Sequence, residues 1–142
     1  MSLAQQKVVV LAYPGYQELD FWYPVLRGRE EGATVHIVAA ATTGAESILG
    51  YPVIPDTDAA DLDPASVDVI IAPGVAPWDL PQPSGAQVAL ITAVHTAGGR
   101  VASVGNGASV VAQAIGDQAE RVVSADGTNE LAELFATIRR GV

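Results

Sequence analysis

Asp20 is the residue of this sequence best placed to do chemistry. It stands directly before an aromatic run, Phe21-Trp22-Tyr23, and two residues after a second acid, Glu18. A carboxyl group against an apolar wall is disfavoured in its charged form, which tunes it toward proton transfer as a general acid or base. An acid in the first turn of a helix also stabilises the helix dipole by about 0.3–1 kcal/mol and need do nothing else. On position alone the helix-dipole reading is the stronger one. Glu18 would face elsewhere on a helix and reads as a cap or a solvated acid.

The second feature is the turn Gly105-Asn106-Gly107, set between a strand-like and a helix-like run. Covalent catalysis at such a turn needs a thiolate, a hydroxyl or a similar group, and glycine offers none. The chain has no cysteine, which removes disulfides, thiolate metal sites and cysteine chemistry. Ser103, inside the strand, and Ser109, inside the helix, read as packing residues. Asn106 suits an N-cap, with a hydrogen bond to a ligand as the other option. His36 and His95 have no partners at metal-ligand spacing, and no phosphate-binding glycine loop is present. Neither a metal nor a cofactor is expected.

Four strand-like runs carry these turns. Lys7 to Tyr13, Thr34 to Ala39, Val67 to Ala72 and Arg100 to Val104 are rich in β-branched residues, as strands buried on both faces are. Between them, Leu19 to Glu31, Ser84 to Ala97 and Asn106 to Ile115 read as helices, followed by Glu120 to Ser124 as a short strand and Asn129 to Arg140 as an amphipathic helix. Segments around Thr42 to Gly50 and Tyr51 to Pro55 suggest a small hairpin, and Asp58 to Pro64 a polar connector. Strands alternating with helices predict one α/β domain over residues 1–142, with a mainly parallel sheet and helices on both faces. Ligands in such sheets bind beyond the carboxyl ends of the strands. Three turns meet that description: Tyr13 to Asp20, Pro73 to Trp78, and Gly105 to Gly107.

Those turns carry a recognisable pattern. Tyr13-Pro14-Gly15-Tyr16-Gln17-Glu18-Leu19-Asp20-Phe21-Trp22-Tyr23-Pro24, then Ile70-Ile71-Ala72-Pro73-Gly74, then Val101-Ala102-Ser103-Val104-Gly105-Asn106-Gly107 resemble the ThiJ/PfpI (DJ-1-like) superfamily. The first segment is most similar to its isocyanide-hydratase-type branch. The resemblance implies a flavodoxin-like sandwich, a carboxylate at Asp20, and an anion hole from the backbone of Gly74, Val75 and Asn106. The family cysteine would stand at Gly105. It further implies a pocket wall including Tyr16, Glu18, Trp22 and Trp78, although Trp78 also suits a packing anchor or an interface. Homodimers are common in that group. The chain departs from the family in lacking the cysteine, in Asn106 for His or Thr, and in Val75 for a second glycine. It is also short of a strand and helix between Ile115 and Val122, a truncation toward the C-terminal end.

Composition narrows the function classes. The formal charge is −9 with a single lysine, Lys7, and scattered arginines, a poor match to a nucleic-acid surface, which needs a basic stripe. No apolar run approaches the ~18 residues of a membrane span, and no leader-like segment precedes the first strand, so the cytoplasm is the expected compartment. The Ala-rich, Lys-poor composition is compatible with a high-GC bacterium. The sequence thus predicts a cofactor-independent acid/base enzyme acting on a small carbonyl-like metabolite by hydratase, lyase, isomerase or cyclase chemistry. The alternative is a non-catalytic relative that binds a small ligand or a protein partner.

Overall fold

The computed structural model describes residues 3–40, 44–116 and 122–140. Its elements follow in the order β1 (Lys7–Ala12), α1 (Glu18–Glu30), β2 (Thr34–Ala39), β3 (Ala45–Glu46), β4 (Pro52–Val53), β5 (Val69–Ala72), α2 (Gly85–Thr96), β6 (Arg100–Val104), α3 (Ala108–Ile115), β7 (Val122–Ala125) and α4 (Leu131–Arg140). The main sheet has the strand order β2-β1-β5-β6-β7, with every pair parallel. This is the flavodoxin-like order, whose crevice for ligands opens where the chain changes direction, between β1 and β5.

Strands buried on both faces need helices on both faces. Val8, Val10, Ile37, Val69 and Ile71 pack with Phe21 and Val25 of α1 and with Leu131, Leu134, Phe135 and Ile138 of α4. Val9, Leu11, Ile70 and Val101 pack on the other side with Leu90, Ile91 and Val94 of α2 and Val110, Val111 and Ile115 of α3. One polar side chain is sealed into that second layer. Gln87 is fully buried, and its Nε2 donates 2.9 Å bonds to the carbonyls of Ala12 and Val38. Its Oε1 accepts from the Ser84 N–H while the Ser84 hydroxyl accepts from the Gln87 N–H, a capping box that starts α2.

The pattern differs from the sequence expectation in detail. The small hairpin has strands of only two residues each, joined antiparallel. The connector holds two 3₁₀ turns, at Ala59–Asp61 and Pro64–Ser66. The elbow Gly105–Gly107 is itself a 3₁₀ turn, so α3 begins at Ala108 and Asn106 is not its cap. Residues 116–121 alone separate α3 from β7, and β7 pairs directly with β6. The part of the predicted short strand at residues 120–121 lies outside the described residues. No helix among the described residues is long and apolar enough to cross a membrane.

Candidate active site

The carboxyl ends of β1, β5, β6 and β7 deliver four turns to one edge of the sheet. The first is locked to the second: the Gln17 N–H donates to the Gly74 carbonyl at 2.8 Å, Tyr16 bridges to Val75, and the Tyr13 hydroxyl donates to the Pro73 carbonyl. Gln17 caps α1, its side chain accepting from the Asp20 N–H at 2.9 Å. That cap places Asp20 in the first helical turn with its carboxyl turned back toward the sheet. Asp20 is 4% exposed. Its Oδ2 accepts from the Gly74 N–H at 3.2 Å and its Oδ1 from the Thr128 hydroxyl at 2.8 Å.

Burial pushes the Asp20 carboxyl above its ordinary range, opposed by the Thr128 hydroxyl and the Gly74 N–H, which favour the charged form. Burial likewise raises the Tyr13 hydroxyl, with the Asp20 charge adding to it. Gly74 has to be glycine, because a Cβ there would lie 2.8 Å from Asp20 Oδ2, 3.0 Å from the Val104 carbonyl and 3.1 Å from Asn106 Oδ1.

The elbow is bent as a nucleophile-bearing turn would be. Gly105 sits at φ +53°, in the left-handed region, and a Cβ built on it would meet only the Asp126 carbonyl, at 3.7 Å. Gly107 is the reverse case. Its Cβ would fall 2.3 Å from the Ala72 carbonyl and 2.6 Å from the Pro73 carbonyl, so glycine lets the helix start press onto the end of β5. Above Gly105 lies a cavity of about 500 Å³, lined by Gln17, Asp20, Ile48, Gly74, Val75, Pro77, Gly105, Asn106, Asp126, Gly127 and Thr128.

The structure therefore brings Asp20, Gly74, Val75, Gly105 and Asn106 to one cavity, but their hydrogen bonds differ from those expected. The Val75 N–H is not open to a ligand. It donates to Asn106 Oδ1 at 2.8 Å, while Asn106 Nδ2 donates to the carbonyls of Ala76 (3.3 Å) and Asp79 (3.2 Å). Asn106 is a clasp between the elbow and the loop after β5, neither a cap nor a free ligand group. With the Gly74 N–H given to Asp20 and the Val75 N–H to Asn106, the expected anion hole is reduced to the start of the elbow helix, where the first N–H groups have no intrahelical carbonyl to bond.

The four wall residues also fall elsewhere. Tyr16 is fully buried, its hydroxyl donating to the Tyr51 carbonyl at 3.0 Å. Trp22 packs edge-on against Phe21, with ring centroids 4.9 Å apart. Glu18 accepts from the Leu49 N–H at 3.1 Å and holds the hairpin turn. Burial raises its carboxyl, but hydrogen bonds from the Ser47 hydroxyl and the Leu49 N–H outweigh that and hold it below the ordinary range. Trp78 is 79% exposed, and its neighbour Pro77 supplies the wall instead. Short-range aromatic clustering signalled core packing here, not a pocket. His36 pairs with Thr57 on β2, away from this site, and no group of three or more His, Cys, Asp or Glu among the described residues is placed to hold a metal.

Thr128 and Asp126 were not among the residues picked out from the sequence. Both follow β7, whose carboxyl end reaches the same edge as the other strands. Treating Val122–Ala125 as a full member of the parallel sheet would have pointed to them, since the groups beyond each carboxyl end are the ones that meet a ligand.

A doubly wound sheet whose elbow sits at the carboxyl end of its fourth main strand, opposed by a buried acid from the first turn, matches the architecture of one family. The model of the DJ-1/PfpI family matches residues 6–134, and the chain belongs to that family. A deglycase of Thermococcus kodakarensis is 27% identical over 108 residues, a match covering 76% of this chain and 65% of the relative, so the chain spans just under two-thirds of that protein's length. Among solved structures, Toxoplasma gondii DJ-1 superposes with a TM-score of 0.80 at 18% identity, covering 94% of this chain and 88% of that one. Drosophila melanogaster DJ-1beta gives 0.77 at 17% identity, with the same coverage. At these identities the structural likeness speaks to the fold.

Proposed function

We propose that this chain is a cofactor-independent acid/base enzyme acting on a small carbonyl-like compound, with Asp20 as the proton-transfer group and no covalent intermediate. The observation that carries this reading is a nearly buried carboxyl lining a 500 Å³ cavity, aimed by two donors drawn from distant parts of the chain. Each Asp20 oxygen uses one lone pair on Gly74 or Thr128 and keeps another for substrate. Proton abstraction by Asp20 leaves negative charge on the substrate oxygen, which the N–H groups of Gly105 and Asn106, at the start of the elbow helix, stabilise. Return of the proton to a different atom completes an isomerisation, a hydration or dehydration, or a ring closure.

The relative named a deglycase makes deglycase-type chemistry a member of the same proposal, here run without a thiol. The likeness of the first motif to the isocyanide-hydratase-type branch favours the hydratase form. Homodimer pairing, a bacterial source and a cytoplasmic setting belong to the proposal too. The second reading, a non-catalytic binding protein, is favoured by Trp78 and Leu80, which stand 79% and 77% exposed beside the cavity-lining Pro77. Asp20→Asn separates the two. The carboxamide matches the carboxylate in shape but takes no proton, so turnover of a substrate found by screening small carbonyl compounds should fall roughly 10²–10⁴-fold. Unchanged turnover rejects the acid/base role.

A further inference from the structure

We infer a second binding site, between α3 and the β6–β7 edge of the sheet, that takes a small uncharged apolar molecule carrying one hydroxyl, of about the size of phenol. It shares no lining residue with the Asp20 cavity and stands whether or not Asp20 is catalytic.

Alternation along β6 and β7 sends their side chains to two layers. Ala102, Val104, Val123 and Ala125 pack with α4, whereas Val101 and Val122 pack with the layer that holds α3. Ser103 and Ser124 lie two residues further along that second face, and the parallel register sets them side by side. Ser103 is 1% exposed, yet its hydroxyl finds no hydrogen-bond partner among the described residues. The sequence suggests a packing residue, but packing accounts only for its methylene. Buried hydroxyls in native proteins are nearly always bonded. One that is unbonded and borders a cavity marks where the polar group of a ligand belongs.

That cavity has a volume of about 220 Å³. Its opposite wall is one face of α3 and its end, Ala108, Val111, Ala112 and Gly116, spaced as neighbours on a helix are. Three of these four carry a methyl or less, so the helix leaves the space above the two serines unfilled. Residues 117–121 alone link Gly116 to Val122, and their sequence, Asp117-Gln118-Ala119-Glu120-Arg121, offers no apolar side chain larger than a methyl to plug it. The described lining holds no charged residue, and a charge set there would lose its water without gaining a counterion. An apolar cavity of about 150 Å³ takes up benzene, so this one has room for a ring and one polar substituent. A hydroxyl suits Ser103 best, since each of the two can donate to or accept from the other.

Phenol, benzene and benzoate separate the contributions of hydroxyl, ring and charge. Each is titrated into the full chain and the amide NMR signals are followed. Those of Ser103, Ala112 and Val122 report on this site, and those of Gly74 and Thr128 on the Asp20 cavity. Phenol should shift the first set with a Kd on the order of 1 mM. It should bind roughly fivefold tighter than benzene, the worth of one hydrogen bond, and about tenfold or more tighter than benzoate. Ser103→Ala should reduce phenol to the affinity of benzene. Because it deletes a hydroxyl that bonds nothing, it should leave the urea midpoint unchanged or raised. Ala112→Leu, at an exposed helix position where leucine is well tolerated, should fill the cavity and abolish binding of both. Shifts confined to Gly74 and Thr128, phenol no tighter than benzene, or binding undiminished in Ala112→Leu overturns the inference. So does silence of all three amides at millimolar phenol. A urea midpoint lowered by Ser103→Ala overturns it too, since the hydroxyl would then already have a partner.

Discussion

Replacing Gly105 with cysteine puts back the side chain that the elbow lacks, and the structure says what that costs. At φ +53° a residue with a Cβ is strained by about 1–2 kcal/mol. Loss of glycine's freedom in the unfolded chain returns roughly 0.4–1 kcal/mol. No packing penalty adds to this, because the nearest atom to the new Cβ is the Asp126 carbonyl at 3.7 Å, an ordinary contact. Gly105→Cys should therefore lose about 1 kcal/mol, which for a domain of this size lowers Tm by roughly 3–4 °C. Gly107→Ala is the control. Its methyl would press into two backbone carbonyls, at 2.3 and 2.6 Å, that cannot swing aside, and overpacking of that kind costs about 3 kcal/mol or more. Urea titrations of both variants give the two stability losses. Iodoacetamide labelling of native Gly105→Cys then reports whether the thiol opens on the cavity. Equal losses in the two variants, or a thiol that reacts only after unfolding, would refute the open space above Gly105 and with it the pocket.

Further outcomes follow from the partners of Asp20 and from the sealed core. The Asp20 carboxyl is raised on folding, so its contribution to stability is fully present below its unfolded value near ~3.9 and is lost as pH rises through the folded value. Asp20→Asn should gain stability relative to the parent as pH climbs through the carboxylate range, and urea midpoints showing a flat difference across that range would contradict the assignment. Thr128→Val keeps the volume and removes the donor to Oδ1. The Asp20 titration, followed by carboxyl NMR, should move further upward, with a stability loss of about 1–3 kcal/mol above the folded value; an unmoved midpoint would show that the hydrogen bond does not form. Gln87→Leu strips the donor from two buried carbonyls and breaks the capping box, which should cost about 2–4 kcal/mol in urea denaturation. A loss under 1 kcal/mol would mean that water replaces the amide.

The sequence by itself determined the layer architecture and the absent nucleophile. Four β-branched runs separated by helix-like segments leave little choice but a parallel sheet with two helical layers, because every strand must be covered on both sides. The missing cysteine is a matter of composition, and the bend at Gly105 follows from a glycine at the junction of strand and helix. Asp20 was legible through the aromatic run beside it and the resemblance of its turn to a family motif, since position alone favours a helix-dipole acid. Its partners were not, since Gly74 and Thr128 lie 54 and 108 residues away and the strand order alone brings them to its two oxygens. Local pattern gave Tyr16, Trp22 and Glu18 a place near the acid. Only packing showed Tyr16 sealed in the core, Trp22 half-buried against it and Glu18 tied to the hairpin. The fate of Asn106 was likewise tertiary. An asparagine can cap, bind or clasp, and which of these it does depends on whether an unpaired N–H lies within reach, as that of Val75 does at 2.8 Å.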